Sequence, residues 1–226
     1  VGVLDTQLRV FDVIMEARHG TTYNSYLVRG RDKVALLDAS KAAFAETYLE
    51  TLRPAIDPKA IDYMVCNHLE PDHSGALVDV LDVAPQAQVV VTKPGRALLR
   101  AILNRDVKPT VAADGDRIDL GGRTLRFISA PFLHWPDTMF TYLEEDQILF
   151  SGDFLGAHYC DPRLFNDLIP NYDEAFHYYF QVIMRPFKEY VRQGLDKIAS
   201  LPIKAVCPVH GPILRSDVSR YIDLYR

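Results

Sequence analysis

The ten residues from Cys66 to Gly75 constrain the fold of this chain more than any other stretch. They read Cys-Asn-His-Leu-Glu-Pro-Asp-His-Ser-Gly and place four potential metal ligands within six residues: His68, Glu70, Asp72 and His73. The apolar residues 61–66 predict a buried strand before this turn, and residues 76–83 show helical spacing after it. A helix cap explains a single carboxylate or hydroxyl in such a turn, but not two imidazoles and two carboxylates together. The stretch therefore indicates a metal site.

Composition excludes several classes of function. The net charge is −5 and no run of lysine or arginine is present, so we expect no basic face for nucleic acid. No apolar stretch reaches 18 residues and the first residues do not resemble a secretion signal, so we expect no membrane span. The three cysteines are widely separated, which argues against a disulfide framework and favours a reducing, cytoplasmic location.

Strand and helix patterns alternate along the 226 residues without a long polar linker. Period-two and apolar runs predict strands at residues 8–14, 23–29, 33–38, 61–66, 88–92, 124–129, 138–143, 147–150 and 205–208. Helical spacing predicts helices at residues 42–53, 76–83, 95–104, 173–199 and 218–226, with an interruption at Arg185-Pro186. This order predicts one layered α/β domain over residues 1–226.

Further ligand-type side chains lie at the ends of three other predicted strands. They are His134, Asp153 and His210, which bring the total to four imidazoles and three carboxylates. One metal ion cannot use seven such ligands, but two ions can share them if a carboxylate bridges. Asp153 is the natural bridge, because it arrives from a strand of its own between the other two sets. The high proportion of oxygen ligands favours a pair of ferrous ions over a four-coordinate zinc ion.

The pattern His-x-Glu-x-Asp-His at residues 68–73, followed by the three later ligands, resembles the metallo-β-lactamase-like diiron domain of flavodiiron proteins, or A-type flavoproteins. Three further segments are similar to that family: Thr-Thr-Tyr-Asn-Ser-Tyr-Leu at 21–27, Phe-Ser-Gly-Asp-Phe at 150–154 and Ile-Met-Arg-Pro-Phe at 183–187. The resemblance covers essentially the whole chain. It implies a four-layer αββα sandwich with two iron ions at one edge.

The resemblance also implies a division of the ligands between the two irons. One iron would be held by His68, Glu70, His134 and the bridging Asp153. The other would be held by Asp72, His73, His210 and the same Asp153, and in the family the histidine equivalent to His73 can swing away. Related hydrolases of this fold carry histidine at the position of Glu70, so that residue separates the two chemistries. As in the family, one tyrosine of the pair Tyr178-Tyr179, which we assign as Tyr179, is expected to hydrogen-bond near the metals. His158, five residues after Asp153, is a candidate for the entrance of the site on its position alone.

The expected function is the reduction of O2 to water or of NO to N2O, with electrons from an external flavin- or rubredoxin-type donor. The family carries FMN in a C-terminal flavodoxin-like domain. We expect that domain to be absent from this chain, since no phosphate-binding Gly/Ser/Thr loop is present. FMN would then come from another domain or partner, and the resemblance implies a head-to-tail homodimer. A non-enzymatic diiron sensor of oxygen or iron, and a metallo-hydrolase, are the alternatives. The choice between O2 and NO stays open.

Overall fold

The computed structural model describes residues 1–226. Four short strands open the chain: β1 (Gly2–Asp5), β2 (Val10–Phe11), β3 (Met15–Glu16) and β4 (Thr21–Asn24). β1 pairs with β4, and β2 pairs with β3, both antiparallel. The strand predicted at residues 8–14 is therefore wrong except at its centre. Asp12 and Val13 both have positive φ, at 47° and 80°, so the backbone turns there instead of continuing in an extended conformation.

The first large sheet has five strands in sequence order. They are β5 (Tyr26–Arg29), β6 (Val34–Leu37), β7 (Tyr63–Val65), β8 (Gln88–Thr92) and β9 (Thr110–Ala112). β5 and β6 are antiparallel, whereas β6 to β9 run parallel. Residues 23–29 form two strands rather than the one that was predicted. The break falls at Ser25, whose buried hydroxyl donates to the Asp38 carbonyl at 2.8 Å and contacts the Tyr48 hydroxyl at 2.7 Å.

The second large sheet also has five strands in sequence order. They are β10 (Arg117–Asp119), β11 (Thr124–Ser129), β12 (Met139–Leu143), β13 (Ile148–Gly152) and β14 (Ala205–Pro208). The first four are antiparallel neighbours, and β14 lies parallel to β13.

Seven α-helices connect and cover these sheets. They are α1 (Ala45–Leu52), α2 (Pro71–Ser74), α3 (Leu77–Val83), α4 (Lys93–Leu103), α5 (Tyr172–Tyr179), α6 (Lys188–Ile198) and α7 (Val218–Asp223). The helical run predicted over 173–199 does not break at Pro186. A π-helical turn at Phe180–Met184 and a 3-10 turn at Arg185–Phe187 carry it through, and Pro186 lies in the first turn of a helical segment, where no backbone N–H is needed. No helix is both long and apolar enough to cross a membrane.

Two hydrophobic cores define the layers. A cluster of 13 buried residues joins the facing sides of the two sheets, with Leu37 from β6 and Phe127 from β11 among its members. Leu36 points the other way, into a cluster of 48 buried residues that includes Leu49 of α1 and Val80 of α3. Alternate residues of one strand thus face the other sheet or the helices. This arrangement confirms the α/β fold class and the αββα sandwich.

Candidate metal centre

Four loops at the ends of strands carry the seven predicted ligands. β7 leads into the turn that holds His68, Glu70 and the start of α2, and α2 itself carries Asp72 and His73. The other three residues are on separate loops: His134 between β11 and β12, Asp153 directly after β13, and His210 shortly after β14. All seven side chains are buried or half-buried. The structure brings every one of them to the same edge of the two sheets.

The seven side chains form two groups, the first of which contains His68, Glu70 and His134. Nε2 of His68 lies 2.9 Å from Oδ2 of Asp153 and 3.6 Å from Oε2 of Glu70. Nε2 of His134 lies 2.9 Å from the same Glu70 oxygen and 3.3 Å from Oδ2 of Asp153. Four donor atoms from three loops, one of them the turn that opens α2, therefore converge on one point.

The second group contains Asp72, His73 and His210. Nε2 of His73 and Nε2 of His210 each lie 3.1 Å from Oδ2 of Asp72, and the two nitrogens are 3.1 Å apart. Both nitrogens lie 3.6 Å from Oδ1 of Asp153. His73 thus points into the group in this structure and has not swung away from it.

Asp153 connects the two groups through different oxygen atoms. Its Oδ2 faces His68 and His134, whereas its Oδ1 faces His73 and His210. A carboxylate that presents one oxygen to each of two donor sets has the arrangement needed to bridge two ions. Gly152, just before it, has a φ of +60°, and a Cβ there would lie 3.6 Å from Nδ1 of His68. The left-handed backbone favours glycine at this position.

The donor separations fit ligands that share a metal ion. Adjacent ligands at about 2.1 Å from one ion in octahedral geometry are roughly 3 Å apart, close to most of the separations found here. Several buried atoms at the centre have no hydrogen-bond partner, although oxygens and nitrogens lie nearby: Nε2 of His68, both oxygens of Asp72, and Oδ2 of Asp153. Buried polar atoms are rarely left unpaired in this number. The residues present therefore fit two bound cations.

The pKa values of the metal-free side chains also indicate that this centre favours bound cations. Burial disfavours ionisation of Asp153, but the adjacent imidazoles of His68 and His134 outweigh it and hold its pKa well below the usual value. Burial also disfavours imidazolium, yet Asp72 raises the pKa of His73 to about 10. The adjacent carboxylates of Asp153 and Glu70 likewise overcome burial and raise the pKa of His134 to about 9. The buried carboxylates are thus stabilised by nearby positive charge. Protonated imidazoles provide that charge when no metal ion is bound.

Hydrogen bonds with a neighbouring strand and a neighbouring helix orient two of the ligands. Nδ1 of His210 lies 2.7 Å from the Thr22 carbonyl oxygen, which can only accept, so Nδ1 carries the proton and Nε2 keeps its lone pair for a metal. The Tyr179 hydroxyl, on α5, donates to Oδ1 of Asp153 at 3.0 Å. Its predicted place beside the metal ligands matches this contact.

His158 is buried behind His210 rather than exposed at an entrance. Its Nδ1 lies 2.9 Å from the Thr21 hydroxyl, which is also 3.0 Å from Nδ1 of His210. Phe11 of β2 packs on its ring with centroids 4.4 Å apart. His158 also lines a cavity of about 130 Å³ whose other walls include Glu16 and Tyr178. The Thr21 and Phe11 contacts were not predicted, because only tertiary packing brings these segments together.

Asp38 is a supporting residue that the sequence analysis did not assign to the site. It directly follows β6 in a left-handed conformation, and its two oxygens accept hydrogen bonds from the backbone and side-chain nitrogens of Asn67 at 2.8 and 2.7 Å. The Thr141 hydroxyl donates to the other end of the Asn67 amide at 2.7 Å. Since Asn67 immediately precedes His68, this network fixes the start of the ligand turn. The sequence signal that could have identified Asp38 is a carboxylate at the end of the apolar residues 34–37.

Comparisons with known proteins agree with this geometry. The family described as "ODP family beta lactamase" matches residues 21–211. A flavo-diiron protein of Clostridium acetobutylicum is 46% identical over 222 residues, which are 96% of this chain and 55% of that protein. A type A flavoprotein of Rhodobacter capsulatus is 46% identical over 225 residues, which are 98% of this chain and 52% of that protein. The chain thus spans about half the length of these relatives.

A solved structure shows the same fold. The rubredoxin oxygen:oxidoreductase of Desulfovibrio gigas superimposes with a TM-score of 0.95 at 30% sequence identity, over 100% of this chain and 58% of that one. The match includes both large sheets and the loops that carry the seven side chains. This chain therefore belongs to the family of metallo-β-lactamase-like domains found in flavodiiron proteins, the type A flavoproteins.

Proposed function

We propose that this chain is the diiron domain of an oxidoreductase that reduces O2 to water, NO to N2O, or both. The observation that supports this most directly is the arrangement of seven donors in two groups that share one carboxylate, Asp153. Reduction of O2 consumes four electrons and four protons and yields two water molecules. Reduction of two NO consumes two electrons and two protons and yields N2O and water.

His68, Glu70 and His134 would hold one iron, and Asp72, His73 and His210 the other. Asp153 would contribute one oxygen to each iron. When bound there, two ferrous ions would supply two electrons for the reduction of the diatomic molecule. The three carboxylates offset most of the positive charge of such a pair. Glu70 places a carboxylate oxygen where related hydrolases carry histidine, which favours redox iron over hydrolytic zinc.

The chain's own residues hold this arrangement in place and limit access to it. Tyr179 fixes one oxygen of Asp153, and the Thr22 carbonyl fixes the ring of His210. His134 is the most exposed imidazole of the set, with 18% of its side chain accessible, whereas the side chains of His68 and His73 are inaccessible. A small molecule from solvent would therefore approach on the His134 side.

Electrons would come from a flavin- or rubredoxin-type donor. The names of the relatives support this: two are flavoproteins or flavo-diiron proteins, and one is a rubredoxin oxygen:oxidoreductase. FMN would be held by a flavodoxin-like domain or partner, and we propose a head-to-tail homodimer that brings such a domain to the iron edge. A cytoplasmic location is part of the proposal and rests on the unpaired state of Cys66, Cys160 and Cys207.

Turnover measurements test this function. The chain is loaded anaerobically with ferrous iron, reduced, and given O2 or NO with and without a reduced flavodoxin or rubredoxin. We expect O2 consumption without peroxide release, or N2O production, that depends on both iron and the donor. The zinc-loaded chain is the matched control, because it keeps the fold without redox chemistry. Tight binding of O2 without catalytic consumption would favour the sensor, and equal activity of the zinc form would contradict the proposal.

A further inference from the structure

One segment of this acidic protein is strongly basic. Residues 93–108 cover α4 and the loop that follows, and they contain five cations and a single acid, Asp106. The segment thus carries +4, and since the whole chain carries −5, the remaining residues carry −9. The net charge of the whole chain led us to expect no basic face. Within this segment, however, the cations follow one another at intervals of three to five residues, which brings them close together. We call the five cations the α4 basic patch: Lys93, Arg96, Arg100, Arg105 and Lys108.

Most of this charge is not neutralised within the chain. Lys93, Arg96 and Lys108 are exposed and form no ion pair. Arg100 approaches Asp106 only to 3.6 Å, with both side chains more than 80% exposed. Such a contact is worth little in water. Arg105 is the exception, since it contacts Asp82 at 2.7 Å.

The patch surrounds a groove of about 200 Å³ with a mainly polar lining. Arg96, Arg100, Arg105 and Asp106 line it together with two apolar residues, the buried Leu99 and the partly exposed Val107. Lys93, Arg96 and Arg100 follow helical spacing and share one face of α4, whose 11 residues span roughly 16 Å.

One end of the patch lies beside the metal centre. α4 begins directly after β8, and the Thr92 hydroxyl caps it by accepting from the Gly95 nitrogen at 3.2 Å. The same hydroxyl donates to the Asp137 carbonyl at 2.8 Å. Asp137 lies three residues after His134, the most exposed imidazole of the centre. A protein bound over Lys93 and Arg96 would therefore lie next to the accessible side of the site.

From these observations we propose that the α4 basic patch is the docking surface for a small acidic protein that delivers electrons to the metal centre. This inference rests on the proposed function, which requires an external donor. The charge of the patch would attract an acidic carrier and orient it, mainly by raising the association rate. The partly exposed Val107 would supply a short-range apolar contact within the patch. The charge of −9 on the rest of the chain would repel the same carrier elsewhere and would also disfavour nucleic acid.

Binding measurements test the proposal independently of catalysis. Calorimetric titration uses the metal-free chain and the iron-loaded chain, with a rubredoxin that has more acidic than basic residues as the probe. The variant Arg96→Glu/Arg100→Glu reverses two charges at the centre of the patch. We expect its dissociation constant to rise at least about tenfold, with a weaker dependence on salt. Since the metal-free chain is also measured, failure of the diiron function leaves this test intact.

Lys188→Glu/Arg192→Glu is the matched control, because it makes the same charge change on the exposed side of α6, which covers the other sheet. We expect it to change the dissociation constant less than about twofold. Equal weakening by both pairs of substitutions would contradict the proposal, as would unchanged binding in the α4 variant. Two further outcomes would also overturn it: sedimentation showing that the α4 substitutions dissociate a dimer without affecting rubredoxin, or heparin binding that rubredoxin does not displace.

Discussion

The Tyr179 hydroxyl donates a hydrogen bond to Oδ1 of Asp153, and the two atoms are 3.0 Å apart. This contact links α5 to the one carboxylate that both donor groups share. Both side chains are fully or almost fully buried, so water does not compete for the bond. Tyr179 is therefore placed to hold the proposed bridge in a single orientation.

Tyr179→Phe removes this hydrogen bond with little change in volume. We expect the variant to fold and still bind two ions, but with roughly 10-fold weaker affinity, the usual effect of losing an outer partner of a metal ligand. Titration of the metal-free variant with cobalt against a competing chelator measures this. The control is Tyr178→Phe, since the exposed Tyr178 hydroxyl contacts only the Glu16 backbone. Equal affinity of the Tyr179 variant and the parent chain would show that Tyr179 does not support the bridge.

Asp38→Ala removes the acceptor for two nitrogens of Asn67. The backbone nitrogen of Asn67 would then be buried without a partner, which costs about 1–3 kcal/mol of the free energy of unfolding, and the amide loses a second bond. We expect a total loss of about 2–4 kcal/mol in urea denaturation of the metal-free chain. Asp196→Ala, at an exposed carboxylate with no hydrogen bond, should change it by less than about 0.5 kcal/mol. A loss below about 1 kcal/mol at Asp38 would mean that the network is not needed to hold the turn.

The metal-free chain should become less stable as the pH rises above neutrality. The pKa values of His73 and His134 are raised to about 10 and about 9, because adjacent carboxylates outweigh the effect of burial. A raised pKa in the folded state adds stability that is fully present below about pH 6.5, the unfolded value, and is lost as the pH passes through 9 to 10. Urea denaturation at pH 6 and pH 9 measures the difference. Higher stability at pH 9 would show that the imidazoles are not paired with the carboxylates.

Removal of the proposed bridging ligand should affect both metal positions. Removal of a ligand that binds only one ion should leave both positions occupied. We expect Asp153→Ala to lose both ions in elemental analysis after iron loading and gel filtration. His73→Ala, which removes one ligand of one ion, should retain both with altered spectra. Circular dichroism of each metal-free variant checks that the fold is kept. Full metal occupancy in Asp153→Ala would disprove the assignment of the bridge.

The sequence predicted the parts of this structure that depend on local pattern. The strands at 88–92, 124–129 and 205–208 match β8, β11 and β14 residue for residue. All seven candidate ligands converge, because their positions at strand ends bring them to one sheet edge. Their division around Asp153 came from the family resemblance rather than from spacing, and the two groups in the structure have the same members.

The remaining features depend on contacts between distant segments, which no local pattern encodes. Ser25 separates β4 from β5 because Asp38 and Tyr48 lie beside it, and Thr21 contacts His158 across a sequence separation of 137 residues. The basic patch was missed for a related reason. A net charge sums over the whole surface, whereas a docking partner meets only the face that α4 presents.

Mössbauer spectroscopy of the chain loaded anaerobically with ⁵⁷Fe and then oxidised tests the central claim most directly. If Asp153 bridges two ions, the chain binds two irons. Oxidation then yields an antiferromagnetically coupled ferric pair with a diamagnetic ground state. Its spectrum in an applied field shows no magnetic splitting beyond that caused by the field itself. Zinc in the protein as isolated would not bear on this, since zinc competes well for such sites. A single iron per chain with the magnetically split spectrum of an isolated ferric ion would contradict the account.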